Sequence, residues 1–270
     1  MSAVSTESLN KVEQVLVAQP TDNPTHLAEE LFAVVDVIDS NGGFRRGLTD
    51  PSREAAQRAG IARSVLGGKI SDAALAIVSA AAEARWSEER DLADALETTA
   101  VTSVALSAEQ RGGIDALEQT VNELLIFINT VDASAEAQAA LADTRASKEA
   151  LKKLAVSLGG RVATAEGKLL LERVATAARG TTAARLANEF VEIIVKRQNR
   201  WIARVTSATA LTAEQIAKLQ GSLNKTYGKE LKLDITVDPA LLGGLRVQVG
   251  DEVIDGSLST RLSELSRAFA

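Results

Sequence analysis

Few residues in this chain have the type and spacing to do chemistry. Its 270 residues contain one histidine, His26, and no cysteine. Disulfides, thiolate nucleophiles and cysteine-bound metals are therefore excluded, and so are multi-histidine metal sites. His26 lies just ahead of a helical pattern and reads as a surface residue. Gly67-Gly68-Lys69 and Gly159-Gly160-Arg161 look superficially like phosphate cradles. Neither follows a strand pattern and both close helices, whereas a P-loop needs GxxxxGK[ST] between a strand and a helix. No such loop, no HExxH and no GxSxG occurs. The acidic pairs Glu29-Glu30 and Glu88-Glu89 fall near helix starts, where negative charge is favourable. Adjacent residues on a helix do not share a face, so neither pair makes a carboxylate dyad. Lys196, Arg197 and Arg200 gather at a helix end, where positive charge suits the helix dipole. The one enzymatic reading left open is a set of carboxylates assembled by the fold.

The elements that would carry any site are mostly helical. Aromatics are 3% of the chain and there are 4 prolines, a balance that favours helix. A net charge of -6 and a pI near 5.1 argue against a general nucleic-acid surface and leave only a local basic patch open. No apolar stretch approaches the roughly 20 residues needed to span a bilayer, and no secretory signal pattern opens the chain.

Leu27, Leu31, Val34, Val35 and Ile38 recur at helical spacing and stop at Ser40-Asn41-Gly42-Gly43, a turn signal. Asp50-Pro51 is expected to start the next helix, with Ala55, Ala59, Ala62 and Leu66 on one face and Gly67-Gly68 closing it. Ser71 and Ser87 are expected caps, and Ser107 with Gln110 forms a capping-box pattern. A long helix is expected over 114–131, with Leu117, Val121, Leu124, Leu125 and Ile128 facing a core.

The pattern then recurs. Glu30-Leu31 matches Glu123-Leu124 and Ile38-Asp39 matches Val131-Asp132, both at a shift of 93, and the two Gly-Gly-cation runs match at 92. This indicates an internal duplication of a helical unit, with second-copy helices expected at 134–142, 147–158, 166–178 and 182–200. VTSVALSAEQ at 101–110 also echoes VTSATALTAEQ at 205–215. The first echo continues as helix and the second leads from a strand.

The last seventy residues change character. Trp201, Ala203 and Val205 alternate as in a strand. Thr212 and Gln215 make a capping box for a helix lined by Ile216, Leu219, Leu223 and Tyr227, and Gly228 can close it. Leu231 to Val237 and Leu245 to Val249 alternate as two more strands. Gly250-Asp251 is a hairpin turn before Val253 and Ile254. Ser257 can cap a last helix with the stripe Leu258, Leu262, Leu265 and Phe269. The expected fold is mostly α with a C-terminal α+β domain: a duplicated helical bundle divided as 1–112 and 113–200, then a small mixed sheet with helices at 201–270.

The run VDPALLGGLRVQVGDEVIDGSLSTRL at 237–262, extended by VTSA at 205–208, LT at 211–212 and YGK at 227–229, resembles the C-terminal signature of the F-type ATP synthase delta subunit family, the relatives of the oligomycin-sensitivity-conferring protein. The length is similar to that of actinobacterial forms, which carry an added helical bundle. The resemblance implies a non-catalytic subunit with no cofactor, held at the cytoplasmic face of the cell membrane without inserting into it. It implies that a helical bundle receives the N-terminal helices of alpha subunits, with beta subunits nearby, and that the C-terminal module grips the b-type peripheral stalk. Nucleic acid is not an implied partner. Gly243, Gly244, Gly250, Asp251, Asp255 and Gly256 would shape the turns of that module. Leu186, Phe190, Ile193 and Ile194 are candidates for the head-helix groove, and Leu258, Leu262, Leu265 and Phe269 for the stalk-facing module. The residues themselves leave open whether these eight are partner-facing or internal core, and which helical copy receives the alpha helices. A helical adaptor unrelated to ATP synthase would have the same composition.

Overall fold

A computed structural model describes residues 2–19, 21–162, 164–178, 180–228, 231–239, 241, 244–250 and 252–255. The described chain forms two compact units, 1–194 and 195–270. The helical unit runs α1 (Ala3–Ala18), α2 (Pro24–Ser40), α3 (Gly42–Thr49), α4 (Ala55–Leu66), α5 (Asp72–Glu83), α6 (Glu89–Asp132), α7 (Ala135–Leu141), α8 (Lys148–Leu158) and α9 (Ala165–Thr176) into α10 (Ala183–Gln198), which reaches into the second unit. After a 3₁₀ turn at Asn199–Trp201, that unit contains β1 (Ile202–Ser207), α11 (Ala213–Tyr227), β2 (Lys232–Val237), β3 (Leu245–Val249) and β4 (Glu252–Asp255).

The duplication seen in sequence recurs in the helices. α3, α4 and α5 begin at 42, 55 and 72, while α7, α8 and α9 begin at 135, 148 and 165, a constant offset of 93. The local chemistry repeats with them. Glu30 accepts hydrogen bonds from the backbone and hydroxyl of Ser71, the cap of α5. Its counterpart Glu123 accepts from the hydroxyl of Thr164, the cap of α9. Asp50 accepts from the Ser52 amide and Asp143 from the Arg145 amide, each at 2.9 Å. Gly68 and Gly160 follow α4 and α8 with the same φ of 71°, so both Gly-Gly runs are left-handed helix exits.

The offset places α1 on residues 96–111 and α2 on residues 117–133, which are the two halves of α6. The first half of α6 thus ends one repeat and begins the next. The expected division at 112–113 falls inside this helix, and contacts group the residues on both sides of it into one unit. What marks the position is a kink: Gly112 has φ -168°, ψ 29°, and Gly113 has φ 59°, ψ -138°.

Five local expectations are corrected. Glu88, not Ser87, is the N-cap of α6, through its capping box with Asp91. Residues 42–49 form a helix, because Asn41 accepts from the Phe44 amide and caps it. Asp50 shapes a turn, and α4 begins later behind the Glu54–Gln57 capping box. Ser107 and Gln110 lie inside α6, not at a helix start. Leu125 is 37% exposed, while its neighbours Leu124 and Ile128 are buried.

In the second unit the strand order is β2-β1-β3-β4, with β1–β2 parallel and β1–β3 and β3–β4 antiparallel. A parallel pair needs a crossover, and α11 supplies it. Ala203, Val205, Val247 and Val249 from the sheet meet Leu223 and Leu231, with Leu219 and Tyr227 packed against them. Thr212 and Gln215 form the expected capping box, and Gly228 closes α11 with φ 66°. The Tyr227 hydroxyl donates to Glu252 at 2.9 Å. The expected helix over 258–269 lies outside the described residues.

Two predictions follow from backbone and side-chain chemistry. Gly113→Ala forces a side chain into a backbone region that only glycine occupies readily, and should cost about 1–3 kcal/mol in denaturant unfolding; Gly112→Ala, at an extended φ, should cost less. Burial, followed by the hydrogen bond and negative charge of Glu252, raises the Tyr227 pKa above 10.0. The folded state then holds the proton more tightly than the unfolded state, so this stabilisation is complete below pH 10 and is lost as pH rises through the raised value. Tyr227→Phe should make the alkaline loss of stability shallower in a pH-dependent melt.

Candidate functional site

A helical unit has two ways to offer a surface to a partner: a stripe on one helix or a groove between two. The stripe Leu186, Phe190, Ile193 and Ile194 lies on α10, held by its apolar spacing. Leu186, Phe190 and Ile194 are 4%, 1% and 0% exposed, and Ile193 is half-buried. Phe190 packs against Phe32 of α2, ring centroids 6.5 Å apart and 24° from parallel. Most of this stripe is thus engaged within the chain.

Phe32 in turn lies under Arg173 of α9, whose guanidinium carbon is 4.8 Å from the ring centre. Arg173 is 6% exposed. Its Nε and Nη2 both donate to one oxygen of Glu97 on α6, at 2.9 and 2.8 Å, and its Nη1 donates to Asp36 on α2 at 2.6 Å. Glu97 is itself buried, whereas the Asp36 side chain is half-exposed. Burying a guanidinium is costly unless it is paired and hydrogen-bonded, and here four helices meet around one whose three nitrogens each donate to a carboxylate. The cluster can position helices; it presents no nucleophile, and no group of three or more metal-ligating side chains occurs among the described residues.

Sequence reasoning did not single out Arg173. The available signal was a cation adjoining the apolar positions Leu170, Leu171 and Val174 of one helix. Arg58 was missed in the same way. It is 5% exposed and donates to the carbonyls of Ala82, Glu83 and Ala84, satisfying the end of α5.

The other sequence-selected residues separate. Glu30 bonds Ser71, Glu29 is exposed beside His26, and Glu88 caps α6, so neither acidic pair converges. Lys196 and Arg197 occupy the last turn of α10. Gly244 and Gly250 have φ of 82° and 60°, and Gly250 sits between β3 and β4. Asp255 ends β4 opposite Arg246. Gly243, Asp251, Gly256, Leu258, Leu262, Leu265 and Phe269 lie outside the described residues.

Open concavities do occur on the helical unit. Between α1 and the end of α5 runs a groove of about 460 Å³ bounded by Val4, Lys11, Val15, Ala80 and Arg85. It adjoins one of about 370 Å³ along α5, lined by Val15, Leu75, Ala76, Ser79 and Ala80. A third, of about 290 Å³, lies where Glu29, Phe32 and Asp36 of α2 meet Leu169, Arg173 and Thr176 of α9.

Comparison with known proteins gives a consistent result. The model of the ATP synthase delta (OSCP) subunit family matches residues 98–269. The ATP synthase subunit delta of Pseudarthrobacter chlorophenolicus is 44% identical over 275 residues, covering all of both chains. That of Kocuria rhizophila is 46% identical over 241 residues, 89% of each chain, and that of Streptomyces griseus is 35% identical across the whole of both. The match to the family model begins within the first half of α6, at the start of the second repeat, whereas full-length relatives also cover the first.

Replacing Arg173 by Met strands the buried Glu97 carboxylate and should cost about 3 kcal/mol in urea unfolding; the half-exposed Asp36 contact adds little. Phe190→Ala should cost about 3–5 kcal/mol. Measuring alpha-peptide binding on the same folded variant checks its second candidate role: unchanged binding removes Phe190 from any partner groove.

Proposed function

The chain belongs to the ATP synthase delta (OSCP) subunit family, and from that premise we propose that it is a connecting subunit of the F-type ATP synthase peripheral stalk, joining the catalytic head to the b-type stalk. The family is non-catalytic, and its members' peripheral-stalk role carries over at the level of the family. The task is mechanical: the head is held against the torque of the turning rotor while proton flow drives ATP synthesis elsewhere in the complex. The helical unit engages the N-terminal helices of alpha subunits with beta subunits nearby. The C-terminal module, whose signature glycines Gly244 and Gly250 flank β3, engages the b-type stalk.

The observation that carries this reading is identity over the whole chain, including the first repeat, with proteins named ATP synthase subunit delta. Physical chemistry agrees with it. Amphipathic helices packed side by side leave grooves that accept another amphipathic helix. No helix among the described residues is long and apolar enough to cross a membrane; in this reading the chain is held at the cytoplasmic face through the complex.

The test is a pull-down of the tagged chain from detergent-solubilised membranes, with partners identified by mass. Alpha, beta and b-type subunits in stable proportion are the expected result. Recovery of soluble partners alone would replace this reading with that of a general helical adaptor.

A further inference from the structure

We infer that α2 is a built-in occupant: one of its faces belongs to the first repeat, and the opposite face fills, from within the chain, a helix-binding surface of the second repeat whose ligand is an acidic, phenylalanine-bearing amphipathic helix. The duplication carries the inference. At the offset of 93, Val4, Glu7, Ser8, Lys11 and Val15 of α1 correspond to Glu97, Ala100, Val101, Val104 and Ala108 of α6. In the first repeat these positions border an open groove, and Val4, Glu7 and Lys11 are exposed. In the second repeat all five are buried. Ala80, across the first groove, corresponds to Arg173 of α9, and Arg173 is buried as well. The helix that packs on both α6 and α9 there is α2.

The contact runs along about three turns of α2. At its start the Pro24 carbonyl accepts from the Ser103 hydroxyl at 2.7 Å. The Thr25 hydroxyl donates to Ser107, which donates on to Glu166 of α9. Further along, Phe32 meets the Arg173 guanidinium and the Phe190 ring. At the far end Asp36 accepts from Arg173 at 2.6 Å. Thr25, Glu29, Phe32 and Asp36 share one face at helical spacing. Leu27, Leu31, Val34 and Ile38 recur on the opposite face and are all buried. A helix at the edge of a bundle turns its polar face to water; here the polar face is seated too. Glu29 and Asp36 share the remaining cleft of about 290 Å³ with Lys148 and Lys152 of α8, so charges of opposite sign line its two sides.

The two sides of this contact are encoded only where they meet. At the same offset Glu29, Phe32 and Asp36 correspond to Asn122, Leu125 and Asn129 in the second half of α6, all three exposed. The helix that docks carries the acids and the ring, and the surface that receives it carries the cation. The unused copies carry neither: Asn129 stands for Asp36 and Ala80 for Arg173. Packing required by the repeat fold would recur in both copies, whereas a pairing present in one is that of a ligand matched to its surface. While the repeats stay joined, the second repeat is closed at this surface to helices from other chains, and the two copies are not equivalent as binding units. The pairing holds whether or not the chain is a stalk subunit.

The experiment uses the full chain and a fluorescein-labelled synthetic peptide of residues 22–41, the sequence of α2, followed by anisotropy. The peptide is titrated into the parent, into Asp36→Lys, and into the double variant Phe32→Lys with Asp36→Lys. Both changes set like charge against Arg173 and loosen α2 in place. The parent should bind no peptide saturably, since its surface is filled. Both variants should bind it, the double variant more tightly, and a peptide carrying Asp36→Lys should bind them about tenfold or more weakly. Equal binding by parent and variants would mean that α2 does not fill the surface. No binding by the folded double variant would mean that no helix-binding surface lies beneath α2. Equal binding of the two peptides would overturn the pairing with Arg173. Melts establish that each variant is folded; should the double variant not melt cooperatively, Asp36→Lys alone decides by the same readings, because Asp36 is half-exposed and its loss leaves the Phe32 contact. The pull-down of the parent chain reads the stalk function separately.

Discussion

A guanidinium withdrawn from water must find acceptors for its donors and a counter-charge for its proton. At Arg173 both come from other helices: Glu97 on α6 and Asp36 on α2, with the Phe32 ring beneath and Phe190 of α10 stacked beyond. Moving any of these helices by a turn would leave a buried charge unpaired. Hydrophobic contacts tolerate small slips, whereas this arrangement does not. It ties α2 from the first repeat to α9 and α10 of the second.

The double use of α6 works in the same direction. Its first half closes one repeat and opens the next, and the Gly112–Gly113 kink redirects the chain so that the second half can play the part that α2 plays in the first repeat. Two copies that share a helix and are bridged by a buried ion cluster have little freedom to move independently. Such stiffness suits the proposed task of holding a catalytic head against rotor torque. The family model matches residues 98–269, so most of the first repeat is additional to the matched part.

Much of this was legible in sequence wherever local chemistry and tertiary packing agreed. The second-copy helices, the Thr212–Gln215 box, the Gly228 exit and the three alternating strands that became β1, β2 and β3 all rest on near neighbours in the chain. Legibility failed where distant partners decided. Ser107-Ala108-Glu109-Gln110 and Thr212-Ala213-Glu214-Gln215 carry the same cap chemistry. The second starts a helix. The first lies within one, because the Ser107 hydroxyl is engaged by Thr25 and Glu166 and Ala108 is buried. Arg173 was invisible for a related reason: a charge on an apolar stripe acquires its meaning only from Glu97, 76 residues away in the chain. The Phe190 stripe was visible as a stripe, but periodicity cannot say whether the facing helix comes from this chain or another.

Native-state hydrogen exchange on the full chain tests most directly whether the two repeats are one mechanical body. Amides of α2, the first half of α6 and α9 should open together, with a common free energy and a common denaturant dependence. Opening of α1 through α5 at markedly lower free energy, while α9 and α10 stay protected, would mean that the repeats unfold independently and that the Arg173 cluster does not join them.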